Sequence, residues 1–122
     1  KILRELKKEE FIDLVYFGGA RSGTDGAKII GMGANAVVLG VPVGLAAGAQ
    51  ITDGNQLEYN AEYTAEDRRL AVANILKATI VEASMMARCT GKTNLHNLEP
   101  EDIRSITLAS AEATGLPLVG HH

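Results

Sequence analysis

The first half of the chain alternates between short apolar runs and glycine-rich breaks. Asp13 to Tyr16 is rich in strand-forming residues, and the pair Gly18-Gly19 ends the run. Ala36 to Leu39 is continuously apolar, which is typical of a parallel strand buried on both faces. Between the two runs, Ser22 and Asp25 have capping-box spacing, so a helix is predicted to begin at Ser22. The pattern therefore predicts two parallel strands joined by a right-handed helical crossover.

Three further segments accompany this unit. Ala27, Ile30 and Ala34 are expected to line the buried face of the crossover helix. Lys1 to Lys8 carries apolar residues on one side and charges on the other, which predicts an amphipathic helix. Val43 to Ala49 is predicted to form a short helix. Because two strands do not make a stable parallel sheet, we expect further strands from outside these 122 residues or from other copies.

The second half of the chain reads as helices. Thr64 to Cys89 has the strongest helical pattern, with a capping box at its start and Gly91 suited to follow its end. Its apolar face is wide, so we expect it to be buried on more than one side. Met85, Met86 and Cys89 are accordingly predicted to be core residues.

The remaining segments are shorter. The polar stretch Ile51 to Tyr63 is predicted to be a loop with a turn at Asp53-Gly54. Pro100 suits the first turn of a short helix. Thr107 to Thr114 is predicted to be the last helix, ended by Gly115.

Composition narrows the classes of protein to which this chain can belong. The chain has 46% hydrophobic residues and a net charge of −3, which favours a globular protein and argues against a nucleic-acid-binding surface. The single cysteine, Cys89, excludes an internal disulfide and a cysteine cluster, and it fits a cytoplasmic location. The charged N-terminus holds no signal-peptide apolar region. The longest apolar run, Ala36 to Ile51, is too short to cross a bilayer, so no membrane partner is expected.

The glycine turn is the strongest candidate for a binding site. Adjacent glycines after a strand let the backbone approach a ligand closely, and the following helix offers N–H groups and a positive dipole end to a phosphate. Arg21 is suited to a bidentate phosphate contact, and Gly40 is predicted to lie beside the turn. The site predicted from these features is Gly18, Gly19, Arg21 and Gly40. The alternative is an ordinary tight turn with Arg21 in solvent, and these residues alone favour neither.

The sequence resembles a known class of flavoprotein. GGARSGTDGAKIIGMGANAVVLG is similar to the last two strand–helix units of flavin-mononucleotide (FMN) barrels, which include 2-hydroxy-acid oxidases, inosine-monophosphate dehydrogenase and the synthase domain of glutamate synthase. ANILKATIVEASMMARCTGKTNLHNLEPEDIRSITLASAEATGLPLVG resembles the tail of archaeal-type glutamate synthase large-subunit domains and N-methylglutamate synthase subunits. The match covers most of the chain and is weakest from Gln50 to Tyr63.

The resemblance implies an α/β fold comprising the last units of an FMN-type (β/α)8 barrel, residues 1–50, followed by a helical C-terminal extension, residues 51–122. It also implies an FMN phosphate held by Gly18, Gly19, Arg21 and Gly40. In the family, reduced flavin converts 2-oxoglutarate and ammonia into glutamate through an imine. The expected partners are the remainder of the barrel or other subunits, and neither a nucleic acid nor a membrane is expected. A homo-oligomer is expected because parallel strand edges would be exposed.

The chain departs from the family pattern at three places. Phe17 stands where many flavin barrels have Asp, and Val41 stands where the oxidases have Arg. Glutamate synthases carry an iron–sulfur cluster on cysteines after the last strand, whereas Gly44 to Gln56 holds no cysteine, so no cluster is expected in this chain. The departures keep a second hypothesis open, that of a non-catalytic assembly module with an empty phosphate site. A different phosphate-binding barrel is a third, which the C-terminal half disfavours.

No catalytic residue and no metal ligand is assigned from the sequence. His96 lies in a polar stretch without a cysteine or carboxylate at ligand spacing, so it is interpreted as a capping or surface residue. The barrel's first strands, which supply most flavin and substrate contacts in the family, are missing from the match. We therefore expect the 122 residues alone to be inactive and not to bind flavin tightly.

Overall fold

The computed structural model describes residues 2–120, so His121 and His122, to which the sequence gives no function, lie outside the described residues. The chain forms a mixed α/β structure that is mostly helical and contains a small parallel sheet. In chain order the elements are α1 (Ile2–Glu5), β1 (Val15–Phe17), α2 (Gly23–Gly31), β2 (Ala36–Val38), α3 (Val41–Ala46), β3 (Ala49–Ile51), β4 (Leu57–Tyr59), α4 (Ala65–Cys89) and α5 (Leu108–Thr114). Short 3₁₀ helices span Leu95–Asn97 and Pro100–Asp102.

The predicted strand–helix–strand unit is confirmed. β1 and β2 pair in parallel, with Phe17 opposite Val38. Ser22 caps α2, since its side-chain oxygen accepts a hydrogen bond from the Asp25 N–H at 3.4 Å. The three residues predicted to line the buried face of the crossover are all buried; they are Ala27, Ile30 and Ala34.

The prediction that β2 is buried on both faces is wrong for the described chain. Ala36 and Val38 are exposed, and Val37 is half-buried. The reason is that β1 and β2 form a sheet of only two strands within residues 2–120. The apolar run in β2 therefore presents surface that this part of the chain does not cover.

The segment after β2 differs from the prediction in two ways. α3 begins at Val41, earlier than predicted, because Pro42 fits the first turn of a helix, where its missing N–H has no intrahelical role. The loop predicted for Ile51 to Tyr63 is wrong, because β3 and β4 form an antiparallel hairpin across part of it. The turn at Asp53-Gly54 is confirmed, and Asn55 after it has a left-handed φ of 59°.

The long helix α4 and its caps are confirmed. Thr64 and Asp67 form the predicted capping box, in which each residue's side chain accepts a hydrogen bond from the other's main-chain N–H. Gly91, with φ of 80°, ends the helix, and its N–H donates to the Arg88 carbonyl at 2.9 Å. The Lys92 N–H donates to the Ala87 carbonyl, which completes a Schellman motif.

The predicted burial of α4 on more than one side is wrong. Ala83 and Ala87 are its only buried residues among those described, whereas Met85 and Met86 are 51% and 37% exposed and Cys89 is exposed. The helix packs within the chain mainly against α2, so its other apolar surface has no cover there. By length and composition alone, α4 is also long and apolar enough to cross a membrane, a test that core helices of soluble proteins pass too.

The termini are organised by local signals. The N-terminal helix covers Ile2–Glu5, shorter than the predicted Lys1 to Lys8, and Lys1 lies outside the described residues. Pro100–Asp102 is the short helix predicted at the proline. α5 covers Leu108–Thr114, one residue shorter than the predicted Thr107 to Thr114 because Thr107 is its cap, and Gly115 follows its end as predicted. The main buried cluster is small, and it consists of Ala27, Ala83, Ala87 and Leu98.

Candidate functional site

The glycine turn lies at the carboxyl end of β1. Gly18 and Gly19 follow Phe17 directly and have φ values of 114° and 74°. Any side chain at these positions would be strained, because a Cβ disfavours positive φ. The sequence here therefore selects a backbone conformation that brings main-chain atoms to the surface without side chains over them.

Gly40 lies at the same end of the sheet as the turn. Phe17 pairs with Val38 in the register of β1 and β2, so Gly19 and Gly40 each lie two residues beyond a paired position. The Phe17 ring confirms the proximity, since its Cε2 atom would lie 3.9 Å from a Cβ built on Gly40. Three of the four predicted site residues are thus brought to one edge.

Arg21, the fourth predicted residue, lies on the turn with a side chain that is 84% exposed. Its Nε atom is 3.3 Å from Asp25 Oδ2, and its main-chain N–H donates to the same oxygen at 3.1 Å. The main-chain hydrogen bond from Arg21 is the largest cause that lowers the pKa of Asp25, and the guanidinium adds to it. Asp25 therefore remains ionised and holds the end of the turn against α2.

The prediction that α2 offers open N–H groups to a phosphate is wrong. The Gly23 N–H donates to Glu82 Oε2 at 2.9 Å, and the Thr24 N–H donates to Glu82 Oε1 at 3.2 Å. The Thr24 hydroxyl makes a further short hydrogen bond to Oε1. A carboxylate of α4 thus occupies the first turn of α2, where an anion is favoured by the helix dipole.

Sequence reasoning missed the role of Glu82. Hydrogen bonds from the Thr24 hydroxyl and the Gly23 N–H lower the pKa of this carboxyl, so it is ionised at neutral pH. One signal was available, because Glu82 is the single charged residue between Lys77 and Arg88 in an otherwise weakly polar helix segment. The spacing could not identify its partner, which lies 59 residues earlier in the chain.

His96 belongs to a different part of the molecule. Its Nε2 atom lies 2.9 Å from the carbonyl oxygen of Asn35, so this nitrogen carries the proton that is donated. Asn35 precedes β2, which places the pair at the end of the sheet opposite the glycine turn. The interpretation of His96 as a structural residue agrees with this contact. Within residues 2–120 there is no group of three or more His, Cys, Asp or Glu residues that could hold a metal ion.

Two grooves lie elsewhere on the described surface. One of about 530 Å³ lies between β2, α2 and α4, and the other of about 800 Å³ lies beside α1 and α5. Neither is lined by Gly18, Gly19, Arg21 or Gly40. Gly18, Gly19, Arg21 and Gly40 are all exposed, so the glycine turn is an open edge of the molecule, which can contact one end of a ligand but does not enclose one.

Comparison with known proteins gives one informative similarity. The chain is 34% identical over 148 residues to the "Glutamate synthase large subunit-like protein" of Rhizobium meliloti (strain 1021), a match that includes 97% of this chain and 33% of the relative. This similarity supports a relationship to the glutamate synthase family. The chain spans about a third of the relative's length. No protein-family model and no solved structure matches the chain.

Proposed function

We propose that the chain is part of an FMN-dependent, glutamate synthase-like oxidoreductase, which aminates 2-oxoglutarate to glutamate or carries out a related amine transfer. Within it, the chain would contribute the binding site for the flavin phosphate. The observation that carries the proposal is the position of the glycine turn and Gly40 at one end of a parallel sheet, in a chain similar to a glutamate synthase large subunit-like protein.

The four site residues have complementary roles in this proposal. Gly18, Gly19 and Gly40 carry no side chain, so their main-chain N–H groups can approach phosphate oxygens closely. Arg21 adds a guanidinium on an exposed side chain, which neutralises the phosphate charge through charge-assisted hydrogen bonds. The flavin, when bound, supplies the electrons for reduction of the substrate. This chain's residues orient the flavin by fixing its phosphate end.

The arrangement of α4 supports the proposal of a barrel fragment. β1 is followed by α2, and β2 is followed, after α3 and the hairpin, by α4. α4 packs beside α2, and both helices line a groove with β2. Two consecutive strand–helix units with neighbouring helices are the repeating element of a (β/α)8 barrel.

The large accessible surface of the described chain supports the proposal that it binds a partner. The described chain has 8875 Å² of accessible surface, whereas a compact monomer of its 12.9 kDa mass exposes about 6,300 Å². The excess is of the size that obligate protein interfaces bury. The unpaired edges of β1 and β2 are part of it. We propose that further parallel strands, from the remainder of a barrel or from other subunits, cover this surface.

The hairpin bears on the source of electrons. Gly44 to Gln56, where family members carry cluster cysteines, forms the end of α3, strand β3 and the turn towards β4. It contains no cysteine, so its side chains do not fit an iron–sulfur cluster. We propose that electrons reach the flavin by another route.

A non-catalytic assembly module is the second candidate function. The observation that favours it is the Phe17 ring, which is 76% exposed at the edge where the phosphate would bind and lies against Gly40. In this alternative the turn is empty and the apolar surface serves assembly alone.

The two candidates are separated by isolating the chain together with the polypeptides that accompany it in the producing cell. We expect intact-mass measurement to show a partner or an oligomer. We also expect denaturation of this complex to release about one molecule of FMN per chain. An assembled, flavin-free complex would favour the assembly module. Stoichiometric flavin on the 122 residues alone would contradict the prediction that this portion is insufficient.

A further inference from the structure

Glu82 makes a contact that the proposed function does not use. It lies on α4, yet both of its carboxylate oxygens accept hydrogen bonds from the start of α2. The approach is possible because residue 23 is a glycine. A Cβ at that position would lie 2.2 Å from the Thr79 carbonyl oxygen and 2.6 Å from the Ala83 nitrogen. The two helices therefore meet at main-chain distance where the carboxylate binds.

The main-chain donors around the turn fall into two groups. From residue 23 onward the donors have protein acceptors: Gly23 and Thr24 bond to Glu82, Asp25 bonds to the Ser22 hydroxyl, and Gly26 bonds to the Ser22 carbonyl. Gly18 and Gly19, which precede Arg21, are exposed, and outside the strand ladder their N–H groups donate to no main-chain acceptor among residues 2–120. The donors suited to a phosphate are thus those upstream of Arg21, and the helix start serves the protein.

We propose that Glu82 is a positioning residue for the phosphate site, an inference that rests on the proposed function. By binding the N–H groups of Gly23 and Thr24, it fixes the start of α2 and with it the last residues of the glycine turn. It also fills the helix N-terminus, so the phosphate binds at Gly18, Gly19 and Gly40 and not at the first turn of α2.

The test compares FMN with riboflavin, which differs only by lacking the phosphate. Both are titrated into the complete assembly carrying wild-type chain, Glu82→Gln or Glu82→Ala. We expect Glu82→Ala to weaken FMN binding about tenfold with little change for riboflavin, because the turn loses its anchor. Glu82→Gln keeps one acceptor oxygen at the same reach, so it should lie between the two. Glu66→Ala, an exposed glutamate on the same helix, is the matched control and should change neither affinity.

Thr24→Val provides a milder variant if Glu82→Ala does not fold. It removes only the hydroxyl donor to Glu82, and we expect a smaller loss of FMN affinity in the same direction. An unchanged ratio of FMN to riboflavin affinity in folded Glu82 variants would overturn the inference and leave the proposed function standing. Tighter FMN binding by Glu82→Gln would also overturn it, since the carboxylate would then act only by repulsion. A wild-type assembly that does not distinguish FMN from riboflavin would overturn both.

Discussion

The carboxylate of Glu82 accepts a hydrogen bond from the main-chain N–H of Gly23 at 2.9 Å, across 59 residues of sequence. This contact joins α2, which follows the first strand, to α4, the long helix that comes after α3 and the hairpin. It places a negative charge at the N-terminus of α2, where the helix dipole favours it.

Gly23→Ala should destabilise the chain by roughly 2–3 kcal/mol, because its Cβ would overlap main-chain atoms of α4 that cannot rotate away. Gly26→Ala is the matched control. It lies in the same helix, and its Cβ would meet no atom within 4 Å. The control should be neutral or stabilising by up to about 1 kcal/mol. Urea unfolding measures both, and equal effects of the two substitutions would show that α2 and α4 do not meet at Gly23.

The contribution of Glu82 should depend on pH in the acid range. The folded-state pKa of Glu82 lies below its ordinary value of 4.5, because hydrogen bonds from Thr24 and Gly23 favour the charged form. As the pH falls, Glu82 is therefore protonated at a higher pH in the unfolded chain than in the folded chain. The stabilisation by Glu82 is present above pH 4.5 and is lost as the pH falls through the folded-state pKa. The difference in unfolding midpoint between wild type and Glu82→Gln should shrink on acidification from pH 7 to 3. A constant difference would mean that the ionised form has no special role.

Arg68 should hold the hairpin against α4. Its guanidinium donates to the Ala47 carbonyl at 2.6 Å and also to the Asn60 carbonyl, and it lies 5.3 Å from the Tyr59 ring. Arg68→Lys should cost roughly 1–3 kcal/mol, because an ammonium cannot reproduce the planar fork that reaches both carbonyls.

Arg69→Lys is the control for this prediction. Arg69 is the next residue of the same helix, but its partner is the exposed Glu66, so the change should have no measurable effect on the free energy of unfolding. Hydrogen exchange of the hairpin amides gives a local readout, and exchange should accelerate only in the Arg68 variant. Equal acceleration in both variants would argue against a specific clamp.

Local signals in the sequence predicted the helix ends well. Ser22 and Thr64 cap helices as their spacing indicated, and Gly91 and Gly115 follow helix ends as predicted, because each contact is made within a few residues. The parallel pair was predictable for a similar reason, since two apolar runs flanking one helix leave few topologies.

Contacts between distant segments were not predictable in the same way. The sequence predicts a loop over Ile51 to Tyr63, whereas the hairpin of β3 and β4 includes part of this stretch. The hairpin was not predictable because Arg68 and the two tyrosine rings that stabilise it do not form a local pattern. Met85, Met86 and Cys89 were expected to be buried because an apolar pattern indicates which face needs cover. The apolar pattern does not indicate whether the residues that pack on this face belong to the same 122 residues.

The candidate site was predictable only in part. The glycines and their meeting with Gly40 follow from strand pairing, and the structure brings them together. Predicting that Glu82 occupies the N-terminus of α2 would have required knowledge of how α4 packs. The boundary between residues 1–50 and 51–122 remains a prediction.

The most direct measurement of the central claim is the affinity of the complete assembly for FMN and riboflavin, with wild-type chain, Arg21→Ala and the exposed control Arg69→Ala. We predict that Arg21→Ala weakens FMN binding by roughly 1.5–3 kcal/mol, because a charge-assisted contact to the phosphate is lost. Riboflavin binding and the control should be unchanged. An unchanged FMN affinity in Arg21→Ala would remove this arginine from the site and contradict the account.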